Sequence, residues 1–140
     1  MSPLDSLDKL ERTSSAFCNK GDHFDVGCSE DDVEKYRALS HTLILSKKVC
    51  IVKNWLWWDI DVPKNTLDLL TQNRLHPVMV KADTVIEDEA GRFHYGDWVR
   101  TSFLTKFTDN CIFETKNTVY LLVGSGMRKS VSLDVALSLF

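Results

Sequence analysis

Side chains that could do chemistry are thinly spread along this chain. Cys18, His23 and Cys28 offer soft ligands at a Cys-x4-His-x4-Cys spacing. Structural zinc sites use tight Cys-x2-4-Cys knuckles and four ligands, so this loose trio reads as bystander or buried thiols, and no metal is expected. Cys50 and Cys111 lie in apolar, strand-like sequence and read as core. Nucleophilic catalysis needs a nucleophile with a base in reach. The sequence does not set His41, His76 or His94 against one. Val123-Gly124-Ser125-Gly126 comes nearest to a nucleophile elbow, but it falls between two expected strands and reads as a hairpin turn. Beside that turn, Arg128 and Lys129 are candidates to hold an anion, with a solvated hairpin tip as the plainer reading. They are not part of a Walker or dinucleotide fingerprint, and no cofactor is expected. Asp59 and Asp61 alternate, as a carboxylate pair on one strand face would. Glu87-Asp88-Glu89 reads as a charged turn.

Tryptophan is the least ordinary feature. Trp55, Trp57 and Trp58 put three indoles in four positions. In a strand, Trp55 and Trp57 share one face and Trp58 takes the other. At least one is then expected to be partly exposed, where it would anchor a protein partner. A core aromatic cluster is the plainer alternative. Trp98 and Arg100, on the mixed face of a later strand, are the second candidate contact surface.

Several elements must position these residues. Ser2-Pro3-Leu4-Asp5 looks like a helix start, and residues 13–28 read as irregular. Ser29-Glu30-Asp31-Asp32 opens a helix with acids in its first turn and a stripe of Val33, Tyr36, Leu39 and Leu43. Val49–Val52 reads as a short buried strand. Residues 63–76 read as a helix capped by Asn65, with Leu67 and Leu70 inward, stopped by His76-Pro77. Val78–Glu87 is a strand. From Trp98 to Phe107 one parity is Val99, Thr101, Phe103, Thr105 and Phe107, as expected of a strand with one face on a core. Thr108-Asp109-Asn110 and Lys116-Asn117 are tight turns around a strand at Cys111–Thr115. Thr118–Val123 breaks alternation and should be buried on both faces. Gly124-Ser125-Gly126 closes another hairpin, Met127–Leu133 returns, and residues 133–140 end in a short helix or a final strand.

Helices followed by a run of strands suggest an α+β domain. The expected fold has N-terminal helices packed on a strongly bent antiparallel β-meander, curled into a partly open small barrel. One domain spans 1–140: an irregular segment with a short helix over 1–28, helix-strand-helix over 29–76, and the meander over 77–140. The chain of 140 residues is 44% hydrophobic and 26% charged, ordinary for a globular protein. A net charge of −3 argues against a dedicated nucleic-acid binder. The N-terminus shows no secretory pattern and no run approaches the ~20 apolar residues of a membrane span, so a cytoplasmic protein with reduced thiols is expected.

The pattern Gly96-Asp97-Trp98-Val99-Arg100-Thr101-Ser102, followed by Phe113-Glu114-Thr115-x-Asn117-Thr118-Val119-Tyr120-x-Leu122-x-Gly124-x-Gly126, resembles an uncharacterised family of proteobacterial and phage or prophage proteins of unknown function. The resemblance covers about the last 80 residues. It implies a mobile-element setting and carries no activity and no functional residue.

The function expected is a small non-enzymatic binding protein that masks or inhibits a protein partner, as a phage-derived accessory or anti-defence factor. The alternatives are a small enzyme or ligand-binding domain with an anion site near Arg100 and Arg128, and, less favoured, single-stranded nucleic-acid binding through Lys47, Lys48, Lys53, Arg100 and Arg128. Unpaired sheet edges would also suit a homodimer.

Overall fold

The computed structural model describes Glu11 and residues 21–138. The expected first helix and Cys18 lie outside the described residues. In chain order the elements are β1 (Asp22–Phe24), a 3-10 turn (Glu30–Asp32), α1 (Val33–Leu43), β2 (Lys48–Asp61), α2 (Lys64–Gln72), β3 (Val78–Asp88), β4 (Val99–Arg100), β5 (Leu104–Thr108), β6 (Ile112–Thr115), β7 (Thr118–Val123), β8 (Gly126–Ser132) and α3 (Leu133–Leu137).

The expected α+β arrangement is overturned. The chain is mostly strand, and its single sheet curls into an open half-barrel rather than serving as a meander under N-terminal helices. Its axis is β2, whose 14 residues include the tryptophan cluster. One edge of β2 pairs antiparallel with β3. The other edge pairs in parallel twice, with β7 over residues 48–53 and with β8 over 56–61. Thus β7 and β8 run end to end along one neighbour and do not fold back on each other. The expected Gly124-Ser125-Gly126 hairpin is a bulge. Lys53 pairs with Val123 and Leu56 with Met127, so the β7–β8 side uses one residue more than β2 between those pairs. The sequence did carry the cue. All six residues of β7 are buried, and a strand covered on both faces is typical of parallel pairing.

A crease crosses the sheet at this bulge. Asn54 in β2 has φ +54° and Gly124 has φ +74°, both left-handed. Asn54 thereby switches the side-chain parity of β2. Before it, Cys50 and Val52 face the interior; after it, Trp55 and Trp57 do. Val49 and Ile51 face outward beneath α1, while Leu56, Trp58 and Ile60 face outward beneath α3. Gly126 fits only because it lacks a side chain, since a Cβ there would lie 2.5 Å from the Trp55 ring.

The expected continuous strand from Trp98 to Phe107 is broken into β4 and β5. The first part lies along β3, with Thr101 N donating to Val80 O at 2.9 Å. After an isolated bridge between Leu104 and His76, the chain transfers to β6. The tight turns expected after Thr108 and Thr115 are present. Asp109 and Asn110 both have positive φ, as a primed hairpin requires. The expected helix over 63–76 is shorter, Lys64–Gln72, and Pro63 occupies its N-cap. Only Leu70 of its leucines is buried; Leu67 is 40% exposed.

Candidate functional site

The interior of the half-barrel is filled. Trp57 sits between Phe24, Phe107 and Phe113, with ring centroids 5.2, 5.0 and 5.4 Å away, all edge to face. Such pairs add roughly 0.5–1.5 kcal/mol each beyond area burial. Trp55 donates its indole N–H to Gly124 O at 3.0 Å, which ties the ring to the crease. Trp55, Trp57 and Trp58 are 2%, 6% and 0% exposed. Their expected split between two faces holds, but the partly exposed indole does not exist. The contact surface assigned to these three residues is therefore corrected to core.

Arg128 stands at the mouth of this interior. Its guanidinium makes a two-pronged ion pair with Asp59, at 2.6 and 2.9 Å, and lies over the rings of Phe24 and Trp57. That pairing holds the Arg128 pKa above its ordinary value. Lys129, the next residue of β8, is on the opposite face, so the expected anion pair is not brought together. Arg100 is also elsewhere. It lies half-buried on the outer face and donates to Ala136 O at 3.2 Å, and burial lowers its pKa. Lys47 is held by Glu114 at 2.5 Å and by Thr115 O at 2.8 Å. The cations expected to form one anionic-ligand or nucleic-acid surface are thus dispersed, with Arg128, Arg100 and Lys47 each bound to a local acceptor and Lys53 beside Tyr95. Of the two alternating carboxylates, Asp59 is taken up by Arg128 and Asp61 is exposed. No group of three or more His, Cys, Asp or Glu could hold a metal among the described residues.

An open groove of about 450 Å³ lies on the outer face, between α1 and β2–β3. Val33, Ile51, Ile86 and Val123 give it an apolar floor, and Glu30, Glu34, Arg37, Lys53, Glu87 and Tyr95 line its walls. The floor follows from the pleat: Ile51 and Val123 face outward from adjacent strands, and Val33 descends from the first turn of α1.

The walls are fixed by electrostatics. Arg37 pairs with Glu87, with Glu34 at 3.2 Å and with Glu89 at 3.5 Å, clamping α1 to the end of β3. Glu89 accepts from Val49 N at 2.7 Å and lies 2.9 Å from His41 Nε2. Burial pushes the Glu89 carboxyl up, but those bonds and Arg37 bring it below its ordinary range.

Tyr95 comes from the loop between β3 and β4, and both ends of that loop are anchored. Asp88, with a fully buried side chain, accepts from Arg92 N at 2.9 Å, Phe93 N at 3.2 Å and Arg92 Nε at 3.2 Å. Burial raises the Asp88 pKa, yet its donors outweigh that effect and leave it depressed. At the other end Gly96 N donates to Val85 O at 2.9 Å and Val85 N to Asp97 O at 2.7 Å. Gly96 has φ +92°, which a glycine tolerates. The loop therefore presents Tyr95, 70% exposed, as a rigid lip. Lys53 places its ammonium 5.9 Å from the tyrosine ring. Glu30, Asp31 and Asp32 are exposed on the α1 side and form no ion pair among the described residues, so the described rim carries surplus negative charge.

A family model described as a domain of unknown function, DUF6957, matches residues 25–138. The chain belongs to this family. No curated protein and no solved structure matches the chain. The DUF6957 match extends beyond the last 80 residues and takes in α1, β2 and every residue of the groove. No helix among the described residues is long and apolar enough to cross a membrane.

Sequence reasoning missed the groove. Its one available signal was the aromatic-rich turn Phe93-His94-Tyr95-Gly96-Asp97-Trp98, in which three large rings cannot all be buried. Phe93 packs on the interior, while Tyr95 and Trp98 reach solvent, Trp98 at 43% exposure. The Glu87–Glu89 group, read as a charged turn, is the clamp for α1 and the anchor of the Tyr95 loop.

Proposed function

We propose that this protein is a non-enzymatic binding protein that masks a protein partner, and that the groove beneath Tyr95 is where it does so. The partner segment carries an apolar side chain, which enters the groove, with a basic residue beside it, which meets Glu30, Asp31 and Asp32. The observation that carries this reading is an apolar floor left open between a preorganised aromatic lip and an acidic rim that has no counter-ion among the described residues. Tyrosine is a typical interface anchor because it brings area at low entropic cost, and a fixed loop lowers that cost further. About 450 Å³ admits an anchor side chain and its flanking backbone. Residence in the cytoplasm and an accessory or anti-defence role in a phage or prophage setting belong to the same proposal, the latter on the resemblance alone.

Selection from a displayed library of random 12-residue peptides tests it. The expected binders pair an aliphatic or aromatic residue with Lys or Arg, and their affinity falls about tenfold or more in Tyr95→Ala and in the double charge reversal Glu30→Lys/Asp31→Lys. Binders with an acidic consensus, or binders indifferent to both variants, would refute it.

A further inference from the structure

Three of the cysteines are described, and two of them meet. Cys28 and Cys111 are 6% and 1% exposed and belong to the same outer-face cluster. Both are fastened to one residue of β7. Cys28 N donates to Leu122 O at 2.9 Å, and Leu122 N donates to Cys111 O at 3.0 Å. Gly27 N donates to Asn110 O at 2.6 Å, so the two cysteine-bearing segments are also joined to each other. Each thiol is close enough to the other to perturb its proton affinity. Cys50 differs: it faces the interior, in another cluster.

We propose that Cys28 and Cys111 are an oxidisable dithiol, and that their disulfide staples the segment entering the groove wall to the β5–β6 hairpin. A disulfide requires Cα atoms about 4.4–6.8 Å apart and side chains that converge; bonding to one and the same residue of β7, and burial in one cluster, set these two cysteines side by side for it. Hydrogen peroxide is the oxidant. The Cys28 thiolate attacks one peroxide oxygen, the O–O bond breaks, and the departing hydroxide takes up the thiol's proton as water. The Cys111 thiol then attacks the resulting sulfenic sulfur; the S–S bond forms, the S–O bond breaks, and a second water leaves. Two thiols lose two electrons and two protons, and one peroxide becomes two waters. Burial keeps both thiols protonated, with Cys111 pushed up to about 12, so the reaction is slow unless the segment opens.

Cys28 lies two residues before Glu30 in the groove wall, and its bridge partner Val123 lies in the floor. The staple would hold wall and floor together. That consequence rests on the groove reading; the pairing itself does not.

The test uses the full chain, treated with hydrogen peroxide or with dithiothreitol, alkylated under denaturing conditions, digested and analysed by mass spectrometry. The expected result is a Cys28–Cys111 linked peptide as the main disulfide, reversed by dithiothreitol, with a higher melting temperature for the oxidised form. Recovery of both cysteines as alkylated thiols or as sulfinic acids, or linkage to Cys18 or Cys50, would overturn the pairing. Because this mapping is made on the unaltered chain, a failure of Cys28→Ser or Cys111→Ser to fold does not remove the test. Equal affinity of the oxidised and reduced forms for a selected peptide would overturn the coupling to the groove alone.

Discussion

The interior of the half-barrel and the groove on its outer face are built from the same materials, aromatic rings beside charged groups, arranged to opposite ends. Inside, Trp55 and Trp57 are buried with Phe24, Phe107 and Phe113, and the charges that approach them, Arg128 and Asp59, cancel in a two-pronged pair. Outside, one ring, Tyr95, stands in solvent, and the carboxylates of Glu30, Asp31 and Asp32 have no counter-ion among the described residues. Satisfied aromatics and paired charges hold a fold. An exposed ring above an open apolar floor, with charge left over, is suited to holding something else. The tryptophans, the most conspicuous residues in the sequence, thus belong to stability, and an inconspicuous tyrosine belongs to binding.

The largest effect expected is at Trp57. Its replacement by Ala removes the centre of the aromatic cluster and should cost about 3–5 kcal/mol in denaturant unfolding. Comparable peptide affinity in the protein that remains folded would sharpen the contrast; loss of binding alone, with full stability, would break it. Gly126→Ala comes next. The added Cβ meets the Trp55 ring and backbone at 2.5 Å, so a loss of roughly 1–3 kcal/mol is expected from overpacking at the crease. A smaller effect is expected from acid. The Asp88 and Glu89 pKa values are depressed in the folded protein. Their stabilising contribution is therefore complete above the unfolded carboxylate range near ~4 and is lost as pH falls through the lower folded values. Melting temperature should drop on acidification below about pH 4, and Asp88→Asn should flatten that drop. Smallest is Arg128→Ala. Both partners of its ion pair are more than a third exposed, so the loss should stay below about 1 kcal/mol despite the short distances.

What was legible in the sequence was local. Strand alternation, the Asp109-Asn110 and Lys116-Asn117 turns, the split of the indoles between two faces, and the double burial of β7 all follow from neighbouring residues. What was not legible was pairing at a distance. A turn such as Gly124-Ser125-Gly126 has the same composition whether the chain reverses or merely kinks, and only the partner strand decides. Val52 of β2 and its partner Leu122 of β7 lie 70 residues apart in the chain, and that separation leaves no trace in periodicity.

 Val52 and Leu122 pair directly, yet nothing near either residue names the other. The same holds for the candidate site. Tyr95, Ile51 and the Glu30–Val33 turn come from three separate segments, and only the curl of the sheet and the Arg37 clamp bring them to one groove.

The most direct test of the contrast between interior and groove is a nuclear magnetic resonance titration of the isotope-labelled protein with a selected peptide. The account predicts shift changes at the Ile51, Ile86 and Val123 methyl groups and at the Tyr95 ring, while the indole N–H signals of Trp55 and Trp57 stay in place. Movement of those two indole signals, with the groove methyls unchanged, would contradict it and move the binding surface to the mouth of the half-barrel.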